Sequence, residues 1–202
     1  MDCLISSIYY SPVKSLSLES IKSCKITKNN GILNDRIFSF CRGLNKEDSK
    51  LIEKNPNLRN NFLTLKNSPV LNKYNFTYKD EKLTLTFNGN ELIKVSTNNK
   101  EEKTLLVNKL LELEPSLIQP INLLQNNEYP FYDTTHSEKV FNSISLINLN
   151  SVKDFEKKIN KKVEFQRFRG NFYVNEIDAW EERNWIGQIV KINNISFKVE
   201  SH

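Results

Sequence analysis

Asn88-Gly89 separates two runs in which apolar and polar residues alternate, Lys82-Leu-Thr-Leu-Thr-Phe87 and Glu91-Leu-Ile-Lys-Val95. A two-residue link that folds one strand back on another with the correct twist needs positive φ at both positions, which Asn and Gly tolerate best. The pair therefore predicts an antiparallel hairpin near the middle of the chain. Strand-like runs recur before it, at Leu4 to Tyr10, at Leu18 to Ile26, and at Ile37-Phe-Ser-Phe-Cys41 with its aromatic and branched residues. Short strands at regular spacing with turn punctuation predict an antiparallel, barrel-like β domain over residues 1–115.

Helical period appears at Glu101 to Glu114, where Leu106, Leu110 and Leu113 share a face before Pro115 ends the element. Residues 115–140, with Pro120, Pro130 and the polar run Gln125 to Glu128, read as a connection to a second unit over 116–202. That unit opens with the strand-like Ser143 to Ile147. An amphipathic helix follows at Ser151 to Lys162, with Val152, Phe155 and Ile159 expected inward and its lysines on a solvated face. Two more strand-like runs, Gln188 to Ile192 and Ile195 to Val199, close the chain. The fold class expected is a β-rich α+β protein.

Twelve Phe, seven Tyr and two Trp imply a packed core rather than a disordered chain. No apolar run approaches the roughly 20 residues a membrane-spanning helix needs. Met1-Asp-Cys-Leu-Ile5 lacks the basic start and long apolar stretch of a secretory signal, so a cytoplasmic protein is expected. The three cysteines, Cys3, Cys24 and Cys41, have no paired short spacing and read as reduced, small buried hydrophobes. A net charge of +5 permits an anionic partner without requiring one.

Three segments carry side chains suited to polar chemistry. In Gln166-Arg-Phe-Arg-Gly-Asn-Phe172, strand period places Arg167, Arg169 and Asn171 on one face and Phe168, Gly170 and Phe172 on the other. Two guanidiniums beside an amide suit a phosphate or a polar heterocycle. They equally suit an exposed strand face whose arginines pair with Glu164 or Glu176. Ser11-Pro-Val-Lys-Ser15, after a strand, offers an ammonium, a hydroxyl and backbone N–H groups to an anion. Asn34-Asp-Arg36 supplies a further guanidinium, or Asp35 and Arg36 brace the turn. Trp180 and Trp185 make either a base-stacking platform or indoles packed against the sheet. A Ser-His-Asp set built on His136 lacks a nucleophile-elbow pattern, which argues against a hydrolase.

Taken in order, the strand, Ser11-Pro-Val-Lys-Ser15, the following strand and Asp35-Arg36 resemble the N-terminal β-barrel domain of MOSC proteins. Ser145 to Val152 ahead of a helix, Arg167-Phe-Arg-Gly-Asn171 and Trp180-Glu-Glu-Arg-Asn-Trp-Ile-Gly187 resemble the MOSC domain itself. The resemblance implies a cytoplasmic bacterial oxidoreductase that binds the molybdenum cofactor, a molybdenum pyranopterin with a terminal phosphate. It further implies reduction of small N-hydroxylated substrates with electrons from a ferredoxin-like protein or flavin reductase, and a family-level association with pyridoxal phosphate. Carried over by position, Lys14, Ser15 and Arg36 would bind the phosphate and pterin edge, and Arg167, Arg169 and Asn171 would line the cofactor. Asn148, where reductases of the family commonly carry Ser, and Ser151 complete the implied set.

In the reductase branch an Arg-Cys pair follows the last strand, and its thiolate ligates the metal. Here the sequence runs to Val199-Glu-Ser-His202 without it, and Cys3, Cys24 and Cys41 match no such position. The expectation is a MOSC domain incomplete at its C-terminus, with the metal-ligating Cys beyond His202, no catalytic or metal residue to name within it, and no activity in this form. Two rivals remain from the residues: a non-catalytic sulfur-carrier or cofactor-handling module, and, less favoured, a basic nucleic-acid-binding β-barrel with exposed aromatics. No membrane partner is expected.

Overall fold

The computed structural model describes residues 5–28, 30–43, 60–128, 130–131 and 143–201. In chain order the strands are β1 (Ile5–Tyr10), β2 (Glu19–Ile21), β3 (Ile26–Thr27), β4 (Gly31–Ile32), β5 (Phe38–Arg42), β6 (Tyr74–Lys79), β7 (Lys82–Phe87), β8 (Asn90–Ser96), β9 (Ile121–Gln125), β10 (Leu146–Asn148), β11 (Phe172–Val174), β12 (Ile189–Ile192) and β13 (Ile195–Lys198). Helix α1 spans Lys100–Leu113 and α2 spans Leu149–Ile159. The β-rich α+β class is as the sequence predicts.

The chain forms two compact units that are not its two halves. The larger comprises 10–19 and 25–143; the smaller comprises 1–9, 20–24 and 144–202. In the larger unit β6, β7 and β8 form an antiparallel meander, with Asn88 and Gly89 at φ 49° and 80° in the turn the sequence predicts. Alternation buries Phe76, Leu83, Leu85 and Val95, and they pack against Leu106 and Leu110 of α1. The side chain of Asn99 caps α1 by accepting from the backbone N–H groups of Glu101 (2.8 Å) and Glu102 (3.2 Å), satisfying two otherwise orphaned donors.

One strand escapes the sequence reading. Residues 121–125, inside the segment read as a connection, form β9 and pair antiparallel with β5 from Phe38↔Gln125 to Arg42↔Ile121. Pro115 and Pro120 mask it, because a proline at a strand's approach looks like loop until the partner strand is known.

In the smaller unit the sheet order is β10-β11-β1-β2, with β10 parallel and β1 antiparallel to β11. Helix α2 follows β10 directly. Only its first turn is buried: Val152 is in the core, whereas Phe155 and Ile159, expected inward, are 36% and 43% exposed. β12 and β13 form a separate antiparallel hairpin, Ile192↔Ile195 at its tip.

Candidate functional site

In the larger unit the Ser11–Ser15 loop is fastened to the start of β5. Phe38 N–H donates to Pro12 O (3.0 Å) and Lys14 N–H donates to Phe38 O (2.8 Å). The Asn34–Arg36 turn closes on the same loop. Arg36 N–H donates to Ser11 O (2.6 Å), and buried Asp35 accepts from Ser11 N–H through Oδ1 (2.8 Å) and from the Arg36 guanidinium through Oδ2. Two segments some twenty residues apart therefore meet through backbone bonds, so the loop that carries Lys14 and Ser15 adjoins the turn that carries Arg36. Of the two alternatives raised by the sequence for Asp35 and Arg36, the brace of the turn is the one these hydrogen bonds form.

Three residues of this loop pair, Ser15, Asn34 and Arg36, sit at φ 60°, 67° and 55°. Left-handed backbone at Ser and Arg costs free energy and persists where the surroundings over-determine it. Lys14 is 6% exposed; its Nζ donates to Phe131 O (3.0 Å) and stands 5.7 Å from the Phe62 ring centre. A buried ammonium among carbonyl and ring partners is a strong donor to any anion that reaches it.

In the smaller unit the expected Arg167–Asn171 strand is not formed. Phe165–Phe168 is a 3-10 turn, Arg169 takes the left-handed conformation at φ 53°, and β11 starts only at Phe172. The alternation was misleading because Phe165, rather than Phe168, is the aromatic anchor. Its ring packs edge-on against Tyr9 (6.2 Å) and Tyr173 (4.8 Å), while Phe168 is 43% exposed. The turn also brings Gly170 against Ile147, where an added Cβ would collide with the Ile147 side chain. Arg167 is exposed and Arg169 half-buried, and they do not share a strand face with Asn171.

Asn171 is buried, and the structure engages its amide internally. Oδ1 accepts from Ser145 N–H (3.2 Å) and lies 3.0 Å from Ser145 Oγ, while Nδ2 donates to Tyr9 O (3.2 Å). Asn148 and Ser151 are likewise buried at the head of α2. Asn148 caps the helix through Asn150 N–H (3.0 Å), and its Nδ2 donates to Asp178 O (2.7 Å) and Glu182 Oε2 (2.8 Å). Ser151 Oγ donates to Glu182 Oε1 (2.7 Å) and accepts from Trp180 N–H (2.8 Å). The sequence reading missed Glu182 as the partner of both; nothing in linear spacing links a carboxylate of the 3-10 turn Glu181–Trp185 to a helix head some thirty residues earlier.

The Trp180 indole is engaged by side chains of α2 and of its own segment. Its Nε1 donates to Asp154 Oδ2 (2.6 Å), with Arg183 Cζ 4.5 Å and Lys158 Nζ 5.2 Å from the ring centre. Cys41 lies in a buried cluster with Phe62, Leu124 and Phe131, and burial raises the pKa of the half-buried Cys24 thiol. Cys3, His136 and His202 lie outside the described residues. Among the described residues no group of three or more His, Cys, Asp or Glu is placed to hold a metal ion, and no helix is long and apolar enough to cross a membrane.

The sequence pattern of the MOSC N-terminal beta barrel domain matches residues 3–116, and that of the MOSC domain matches residues 133–202. No curated protein matches the chain. The MOSC domain is the one related to the C-terminal domain of molybdenum cofactor sulfurase, a family associated with binding that cofactor. With a match over more than half its length, in the order of the Lys14 loop, the Arg36 turn, α2 and the Trp180 segment, the chain belongs to the MOSC family.

Proposed function

We propose that the protein binds the molybdenum cofactor through its phosphate and reduces small N-hydroxylated compounds with electrons from a partner protein. The observation that carries the reading is the buried Lys14 ammonium on a loop tied by backbone bonds to the Arg36 turn. A phosphate dianion leaving water needs several charge-assisted donors, and an ammonium, a hydroxyl and a guanidinium on one loop pair are of that kind. Lys14, Ser15 and Arg36 fit the group. Lys14 and Arg36 also hold internal partners but bring positive charge, whereas Asn148, Ser151 and Asn171 are neutral groups already engaged and fit it less well.

When bound, the cofactor supplies a metal able to accept and pass on two electrons. The chain's part is to hold it: Lys14 gives a fixed positive charge, Ser15 a hydroxyl and Arg36 a planar pair of donors. Asp35, by accepting from both Ser11 N–H and the Arg36 guanidinium, fixes the loop pair before any ligand arrives.

Production in a host that makes the cofactor, followed by measurement of molybdenum and oxidised pterin per mole of protein, tests the reading. Near-stoichiometric content is expected in the wild type and its loss in Lys14→Ala. Full content in Lys14→Ala would remove the assignment. Cofactor held without reduction of a hydroxylamine or amidoxime, given a chemical reductant and a form that carries a metal-ligating Cys, would assign the cofactor-handling role instead.

A further inference from the structure

Asn148, Ser151, Asp154 and Lys158 fall on one side of α2, at helical spacing from its N-cap. All four are engaged by the segment 178–183. Asn148 bonds Asp178 O and Glu182, Ser151 bonds Glu182 and Trp180 N–H, Asp154 accepts from the Trp180 indole, and Lys158 stands over its ring. Asn150 adds bonds from its Nδ2 to Asn175 O (2.7 Å) and Ile177 O (2.9 Å). Trp180 itself is held at φ 71°, a conformation a bulky side chain adopts only where its neighbours impose it.

The head of a helix carries unpaired N–H groups and the positive end of its dipole, which favours an anion there. The anion present is the chain's own. Glu182 uses both carboxylate oxygens, Oε2 on Asn148 and Oε1 on Ser151. We propose that Glu182 is a positioning residue, an internal anion that locks Ser151 and Asn148 and so imposes the left-handed Trp180 conformation. Asn148 and Ser151 then anchor the Trp180 segment and do not touch the cofactor.

The donor count supports this. Both Nδ2 hydrogens of Asn148 and its Oδ1 have partners, and Ser151 Oγ donates once and accepts once. A phosphate or pterin seeking these groups would first meet the Glu182 carboxylate, a like charge at hydrogen-bond distance. The statement about the cofactor rests on the proposed function; the statement about Trp180 does not.

Trp185→Phe leaves Trp180 as the sole indole, whose emission then reports its surroundings. In that background Glu182→Ala is expected to shift the emission to the red and lower the thermal midpoint. Added formate or acetate, small enough to fill the vacated cradle, is expected to restore both, and Asn148→Ala to abolish the restoration. Glu182→Gln keeps one accepting oxygen for Ser151 but sets an amide N–H₂ against Asn148, so an intermediate shift is expected. It also serves as the reporter if the Ala variant does not fold. Emission unchanged in either variant overturns the positioning role. For the cofactor, Ser151→Ala and Asn148→Ala are expected to retain wild-type molybdenum and pterin content per folded molecule while Lys14→Ala loses it. Loss of content in Ser151→Ala with Trp180 emission unaltered would make Ser151 a ligand and overturn the proposal. Were the wild type itself to hold no cofactor, the proposed function would fail, and the Trp180 emission would still judge Glu182.

Discussion

Asn171 Nδ2 donates to the carbonyl oxygen of Tyr9 at 3.2 Å, joining residues 162 positions apart. The contact continues the β1–β11 pairing beyond its last regular pair, Ile8↔Phe172, since Tyr9 N–H also donates to Asn171 O (2.7 Å). The same amide accepts from Ser145 just before β10, so one side chain binds three consecutive strands of the sheet at their ends. Replacing it with Ala strips partners from Tyr9 O and Ser145 N–H. Removing a buried hydrogen-bonded amide costs about 1–3 kcal/mol. Asn171→Ala is therefore expected to lower the unfolding free energy by that order in denaturant titration, and a change within about 0.5 kcal/mol, typical of an unremarkable surface position, would show the amide to be dispensable.

What was legible in the sequence is what local chemistry decides. The Asn88-Gly89 hairpin and the helix read at Glu101 to Glu114 depend on residues a few positions apart, and both are formed, the helix as Lys100–Leu113. The Arg167–Asn171 segment failed for a related reason. Aromatics three apart, Phe165 and Phe168, suit a 3-10 turn as well as alternation suits a strand, and the choice was made by Tyr9 and Tyr173, distant in sequence. The meeting of Ser11 with Asp35 and of Ser151 with Glu182 is tertiary in origin. A resemblance could mark Lys14, Arg36 and Ser151 as special, but the partners they hold, Phe131 O, Asp35 and Glu182, are legible only in the structure.

Gly170 offers a test of the turn that replaced the expected strand. A Cβ at this position would run into Cγ1 of Ile147, a β-branched side chain with little rotameric escape. Gly170→Ala is expected to destabilise by about 1–3 kcal/mol, the usual range for overpacking. Shortening the obstacle should relieve it, so the double variant with Ile147→Ala is expected to lose less than the two single losses added together. Strict additivity in the double-mutant cycle would mean the two side chains never meet.

At the end of α1, buried Glu114 accepts from Tyr74 Oη (2.6 Å) and pairs with Lys73 Nζ (2.5 Å). The hydrogen bond from Lys73 first, and that from Tyr74 second, hold its carboxyl below the ordinary value. A carboxylate with a depressed folded-state pKa contributes stability above its unfolded value. That contribution is lost as pH falls through the lower folded value. The thermal midpoint of the wild type is thus expected to drop as pH falls below about 4.5, and Glu114→Gln to flatten that limb. Superimposable acid limbs for the two proteins would count against the pairing.

Glu19 works in the opposite direction. Its half-buried carboxyl sits at the start of β2 beside Tyr10 at the end of β1, with Oε2 buried and without a hydrogen-bond partner. Burial raises the carboxyl's pKa, opposed by the hydrogen bond with Tyr10, and burial followed by the Glu19 charge raises the Tyr10 phenol. Tyr10 Oη is also engaged as a donor to Tyr78 O at 3.2 Å, which limits what it can offer the carboxylate. An acid whose pKa is raised on folding binds more protons in the native state than in the unfolded chain. Its stabilising effect is complete below the unfolded value near 4.5 and is lost as pH rises through the folded value. Above that window the fold carries an ionised oxygen in a place without a donor. Glu19→Gln, neutral at every pH, is expected to match or trail the wild type at pH 4 and to gain on it steadily toward pH 7, read as the difference in thermal midpoint across the series. The slope must also carry this sign against Glu114→Gln, whose advantage over the wild type lies on the acid side. A Glu19→Gln difference that stays constant from pH 4 to pH 7 would show that the carboxyl ionises as freely folded as unfolded, and that its buried oxygen has found a donor.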